Sequence, residues 1–172
     1  MMDNQLSLFE QGIRSFDMGE YDEAEKCFKA VIETDPKQAE AWNKLGVTYV
    51  YQKNLPEAEE CFKTAVFHNP KLAVAYSNLG NIYFEQERYE EAIAVYHRAI
   101  EADPEYGNAY HNLGVLYKQQ GNIAEGVKYL KKGAKLNNRR PWKDAEPPKL
   151  ANMRMLLWVI IAFLIFLIFR SR

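Results

Sequence analysis

Few side chains in this 172-residue chain are placed to do covalent chemistry. Its two cysteines, Cys27 and Cys61, are too few for a disulfide framework. They stand 34 residues apart, at equivalent places, and read as packed structural thiols. His68, His97 and His111 share no metal-ligand spacing, and the adjoining acids Glu59-Glu60 and Glu90-Glu91 read as solvated helix charge rather than an acid-base pair. No Gly-rich lysine loop, His-Glu-x-x-His, Cys-x-x-Cys or Gly-x-Ser-x-Gly occurs. The residues therefore point away from an enzyme and imply no metal, no cofactor and no small-molecule substrate. What they offer is hydrogen bonding: Asn78 and Asn112, also 34 residues apart, each carry a donor and an acceptor that suit a peptide backbone.

The interval of 34 recurs throughout. Gly12, Gly46, Gly80 and Gly114 keep it, as do Pro36, Pro70 and Pro104, and Ala24, Ala58 and Ala92, beside the bulky series Phe28, Phe62, Tyr96 and Leu130. The chain divides into units of 5–38, 39–72, 73–106 and 107–140. Within a unit, Trp42, Leu45, Gly46 and Tyr49 lie on one helical face and Ala58, Phe62, Ala65 and Val66 on another, so the spacing predicts two helices. Turn residues separate them, as in Asp17-Met18-Gly19 and Gln120-Gly121-Asn122. Acidic residues such as Asp22, Glu23, Glu57, Glu90 and Glu91 open the second helix, where the positive dipole end favours them, and the proline ends the unit.

At these residues the sequence resembles the tetratricopeptide repeat family. Trp42, Leu45, Gly46, Tyr49, Ala58, Phe62, Ala65 and Pro70 fill its eight signature classes, and Tyr76, Leu79, Gly80, Tyr83, Ala92, Tyr96, Ala99 and Pro104 match almost as fully. The resemblance implies an all-α fold, a right-handed α-solenoid of four 34-residue helix-turn-helix repeats, joined here to one C-terminal transmembrane helix. The outer units depart from the pattern: Gln11 and Ser15 replace Leu and Tyr in the first, and Gly126, Gly133 and Asn138 replace two alanines and the proline in the fourth. Two interior glycines, at about 1 kcal/mol each against Ala, make the last helix, near 122–136, the weakest expected element.

In this family the first helices line the concave side, so the resemblance locates a partner-binding groove. Its expected lining is Asn43, Lys44 and Val47, then Ser77, Asn78, Asn81 and Phe84, then Asn108, His111 and Asn112. Phe9, Ile13, Phe16, Val50 and Lys118 extend it. His111 also has the plainer reading of a surface histidine. Asn78 and Asn112 resemble the asparagine ladder with which such arrays hold extended peptides. Relatives that grip a chaperone's C-terminal carboxylate use a clamp of Lys, Asn, Asn, Lys and Arg; the matching places here are Asn43, Val47, Asn78, Asn108 and Asn112, so carboxylate capture is not expected. On this basis Asn78→Ala with Asn112→Ala should weaken partner capture and leave melting unchanged.

Charge is unevenly distributed. Residues 1–127 carry 11 basic and 21 acidic side chains, net −10, whereas 128–154 carry nine basic against two acidic, net +7. An acidic body repels phosphate backbones, which excludes nucleic acid as the main partner. The N-terminus lacks the basic start and apolar run of a secretory signal. Residues 141–152, with Pro141, Pro147 and Pro148, read as a basic linker in which Trp142 packs on the last repeat or sits at a lipid interface. Met155 to Phe169 is 15 residues without a polar side chain, inside an expected transmembrane helix of 153–170. It rises only about 22 Å against a hydrocarbon core near 30 Å, a shortfall that snorkelling arginines and local thinning can absorb. Only Arg170, Ser171 and Arg172 follow, so the segment resembles a tail anchor, and the upstream basic residues favour the cytoplasmic side for the repeats.

The expectation is a single-pass membrane protein that binds an extended peptide or partner helix in its groove and touches lipid through its C-terminal helix. Two alternatives are an assembly chaperone for a membrane complex and a structural coat built by homo-oligomerisation.

Overall fold

The computed structural model describes residues 2–139, which form eight helices and no strand. They are α1 (Met2–Asp17), α2 (Tyr21–Thr34), α3 (Ala39–Tyr51), α4 (Leu55–His68), α5 (Ala73–Glu85), α6 (Tyr89–Ala102), α7 (Gly107–Gln119) and α8 (Ile123–Arg139). The expected linker 141–152, Trp142 and the apolar span 153–170 lie outside the described residues.

Two kinds of turn punctuate the chain. Each first helix ends on a residue with positive φ, at Gly19 (80°), Lys53 (61°), Glu87 (60°) and Gly121 (82°), again at intervals of 34. The next residue's N–H reaches back five places, as from Asn54 to the Tyr49 carbonyl at 2.8 Å, so each turn is a Schellman closure that occupies otherwise orphaned carbonyls. Between units, Asp35, Asn69 and Asp103 each accept from a backbone N–H two residues on, at 3.1, 3.0 and 2.9 Å. The proline in the middle of that turn offers its carbonyl to the next helix: Trp42 Nε1 donates to Pro36 O at 2.8 Å and Tyr110 Oη to Pro104 O at 3.1 Å. Asn138 stands where a fourth proline would, and α8 accordingly runs on to Arg139 rather than stopping near 136.

Packing follows the repeat. Ala24, Ala58 and Ala92 are fully buried, and Phe28, Phe62 and Tyr96 fill the space beside Gly12, Gly46 and Gly80. A Cβ added to Gly46 would lie 2.7 Å from Phe62 Cε1, so a glycine is required there for the ring to seat. From α1 to α7 each helix packs on its successor, α8 meets α7 through Gly126 and Gly133, and α1 with α3 and α5 with α7 also touch directly. The second helices α2, α4 and α6 come no such distance towards one another. The close approaches between equivalent helices of neighbouring units are therefore on the first-helix side.

Candidate functional site: the first-helix groove

The groove is carried by α3, α5 and α7, whose residues 43, 77 and 111 are equivalent, as are 44, 78 and 112. The amides on it are bonded to each other. Asn78 Nδ2 donates to Asn43 Oδ1 at 3.0 Å, and one unit further on Asn112 Nδ2 donates to Ser77 Oγ at 3.2 Å and to Asn81 Oδ1 at 2.8 Å. Asn137 Nδ2 closes the series on Asn108 Oδ1 at 3.1 Å. A residue at the second register place thus reaches the first place of the preceding unit, 35 residues back.

This alters the role of several expected lining residues. Asn43 and Ser77 are buried, at 7% and 2% exposure, and act as acceptors behind the surface rather than as contacts on it. Asn78 and Asn112 are half-buried and staple neighbouring units, so their joint removal should lower melting, contrary to the expectation from sequence. Asn81, Asn108 and His111 are exposed, while Lys44, Val47 and Phe84 are half-buried, and these six form the accessible floor. Asn81 also accepts from Tyr96 Oη at 2.8 Å. The third unit has Tyr where the first two have Phe, and an amide stands where Val47 stands one unit earlier, so the buried hydroxyl finds its acceptor. Towards the first unit the floor is apolar, through half-buried Phe9, Ile13, Phe16 and Val50.

The polar groups at the opposite edge hold units together by charge. Glu25 accepts from Lys29, Gln52 and Tyr49. The Lys29 bond, against the opposing effect of burial, keeps its carboxyl below the usual range. For Glu59 burial alone would raise the pKa, but Lys63 at 2.8 Å and Arg88 at 3.1 Å outweigh it, and the net shift is downward. Among the described residues no group of three or more His, Cys, Asp or Glu is arranged to hold a metal ion.

A cleft that sequence reasoning missed opens away from the groove, between the first two units. It has a volume of about 430 Å³ and is lined by Ile32, Trp42, Leu45, Tyr49, Pro56 and Cys61, with Lys29, Glu33, Glu57 and Glu60 around it. Its signal lay in one register column: Tyr129 stands two units on from Cys61, and the equivalent cleft there is smaller, about 220 Å³. Burial pushes the Cys61 thiol up to about 12, which keeps it protonated and unreactive near neutrality.

Stacked helix pairs with a first-helix groove define a helical-repeat binding fold. Family models described as tetratricopeptide repeat match residues 9–73 and 107–140, and one described as TPR repeat matches 80–121; the chain belongs to the tetratricopeptide repeat family. Similar solved structures include MamA, at 28% identity and TM-score 0.71, covering 80% of this chain and 81% of that one. PilF of Pseudomonas aeruginosa is 26% identical with TM-score 0.72, covering 81% of this chain and 64% of that chain. The first TPR of Spaghetti (RPAP3), bound to the HSP90 peptide SRMEEVD, is 29% identical with TM-score 0.64, over 68% of this chain and 93% of that one. No curated protein matches the chain.

Proposed function

We propose that this chain is a membrane-tethered scaffold that holds an extended peptide or a partner helix on the inner face of its repeats and acts by binding. The observation that carries this reading is the floor formed by Asn81, Asn108 and His111, exposed and flanked by half-buried Val47 and Phe84. The exposed amides of Asn81 and Asn108 suit main-chain bonds, and the adjoining apolar residues suit alternate side chains. The RPAP3 repeat carries an HSP90 peptide on a similar stack. Here the neutral Asn43, Val47, Asn78, Asn108 and Asn112 replace a basic clamp, so the fitting ligand is a neutral or mildly amphipathic segment rather than a free carboxylate.

The tether in this proposal is the uncharged run Met155–Phe169, with the repeats on the cytoplasmic side. Among the described residues no helix is long and apolar enough to cross a membrane. Tethering would confine the groove to a shell near the bilayer and raise the effective concentration of partners in the same membrane, so weak intrinsic affinity would suffice.

The test uses His111→Ala in the full chain, an exposed position outside the core. Proximity labelling of partners should fall several-fold while the melting temperature stays within about 2 °C, as for surface changes. Undiminished labelling would remove the groove from the binding function. Release of the intact chain from membranes by carbonate would remove the tether.

A further inference from the structure

In the inner units the outward side of each second helix is covered by the unit that follows. Glu25 on α2 bonds to Tyr49 of α3 and to Gln52 just beyond it, and Glu59 on α4 to Arg88 in the turn between α5 and α6. The equivalents of these residues are half-buried Ile93 on α6 and, on α8, Val127, which is 38% exposed. A second column behaves alike: Tyr21, Leu55 and Tyr89 are half-buried, and Ile123 is 53% exposed. A third ends on exposed Ala134, where Ile32 is buried and Val66 and Ile100 are half-buried. So α8 presents Ile123, Val127 and Ala134 as an apolar strip at helical spacing.

Beside that strip runs a row of cations. At 100° per residue, Lys128, Lys131, Lys135 and Arg139 fall in one stripe adjoining the apolar one. Lys128 is paired with Glu125 at 3.1 Å, the one acid on the helix, while Lys131, Lys135 and Arg139 have no acidic partner among the described residues. An exposed apolar strip bordered by flexible cations is the chemistry of a helix lying at a lipid interface, its stems along the acyl boundary and its ammonium groups among phosphates.

We infer that the outward face of α8 is a docking surface for an anionic lipid headgroup layer. The inference rests on the tether proposed above. Fifteen residues lie between Arg139 and Met155, so an inserted apolar run keeps the end of α8 within about 55 Å of it even when that stretch is fully extended. Electrostatics selects the face. Residues 1–127, net −10, are repelled by an anionic surface, and the cations of α8 are attracted to it. Contact through α8 would leave the inner groove, on the first helices, open to partners.

The experiment places the full chain in vesicles of phosphatidylcholine alone and of phosphatidylcholine with phosphatidylglycerol, and follows backbone amide exchange across 123–136. Exchange should be about tenfold slower with the anionic lipid, in keeping with a few cations engaged at the surface. The difference should vanish in high salt and in Lys131→Glu with Lys135→Glu; Lys131→Gln with Lys135→Gln gives a milder version should charge reversal disturb the fold. Equal exchange in the two lipids overturns the inference, as does slowing that grows with protein density on the vesicle, which would mark a second copy as the occupant. Flotation with the neutral vesicles after carbonate reads the tether separately. A chain that fails to float defeats the tether, and its α8 contact is then decided by cosedimentation with the anionic vesicles.

Discussion

The second and third units and the last one solve the same packing problem in different ways. In the inner pair, Gly46 and Gly80 make notches for the rings of Phe62 and Tyr96, both at most 2% exposed. In the last pair the ring is replaced by half-buried Leu130, and the helices close the remaining gap with backbone. A Cβ on Gly126 would lie 2.9 Å from Gly114 O, and one on Gly133 would lie 2.8 Å from Gly107 O and 2.9 Å from His111 N. The glycines that seemed to weaken α8 are the reason it can approach α7. A smaller filling side chain demands shorter helix separation, and only glycine on both helices permits it.

The contrast can be broken first at its largest element. Phe62→Ala should cost about 3–5 kcal/mol, the range for a buried ring, whereas Leu130→Ala should cost less than half of that because Leu130 is only half-buried. Equal losses in urea unfolding followed by circular dichroism would mean that the two notches are filled alike. Next, Gly133→Ala gains about 1 kcal/mol of helix propensity and meets backbone on α7, where overpacking costs about 1–3 kcal/mol. Net destabilisation by the same measurement is expected; a gain in stability would show α8 to be loosely held. The smallest effect separates turns rather than cores. Lys53→Gly and Glu87→Gly, at positive φ in the inner units, should each stabilise by about 0.5 kcal/mol, the relief of left-handed strain less the added freedom of the unfolded chain. Calorimetric midpoints that fall instead would show that Lys53 and Glu87 hold something the turn needs.

Much of this architecture was legible because local chemistry recurs at a fixed interval. The Asx-Pro turns, the buried alanines and the glycine notches each report a backbone or packing demand confined to a few residues, so their columns could be aligned by counting. The groove was legible only in outline. Of its expected lining, Asn81, Asn108 and His111 are exposed, but Asn43 and Ser77 proved buried and Asn78 and Asn112 proved engaged.

By itself the sequence determined which residues are equivalent, that each unit holds two helices, and that the acidic repeats precede a basic and then an apolar stretch. Only the tertiary structure decided that an amide bonds to the place before its own in the preceding unit, that Gly126 and Gly133 face Gly114 and Gly107, and that Cys61 leaves a cleft. The physical reason is the offset between stacked units. Periodicity fixes what each side chain is and which face of its helix it occupies, whereas the shift of one helix along its neighbour, set by the summed volumes between them, fixes what it meets.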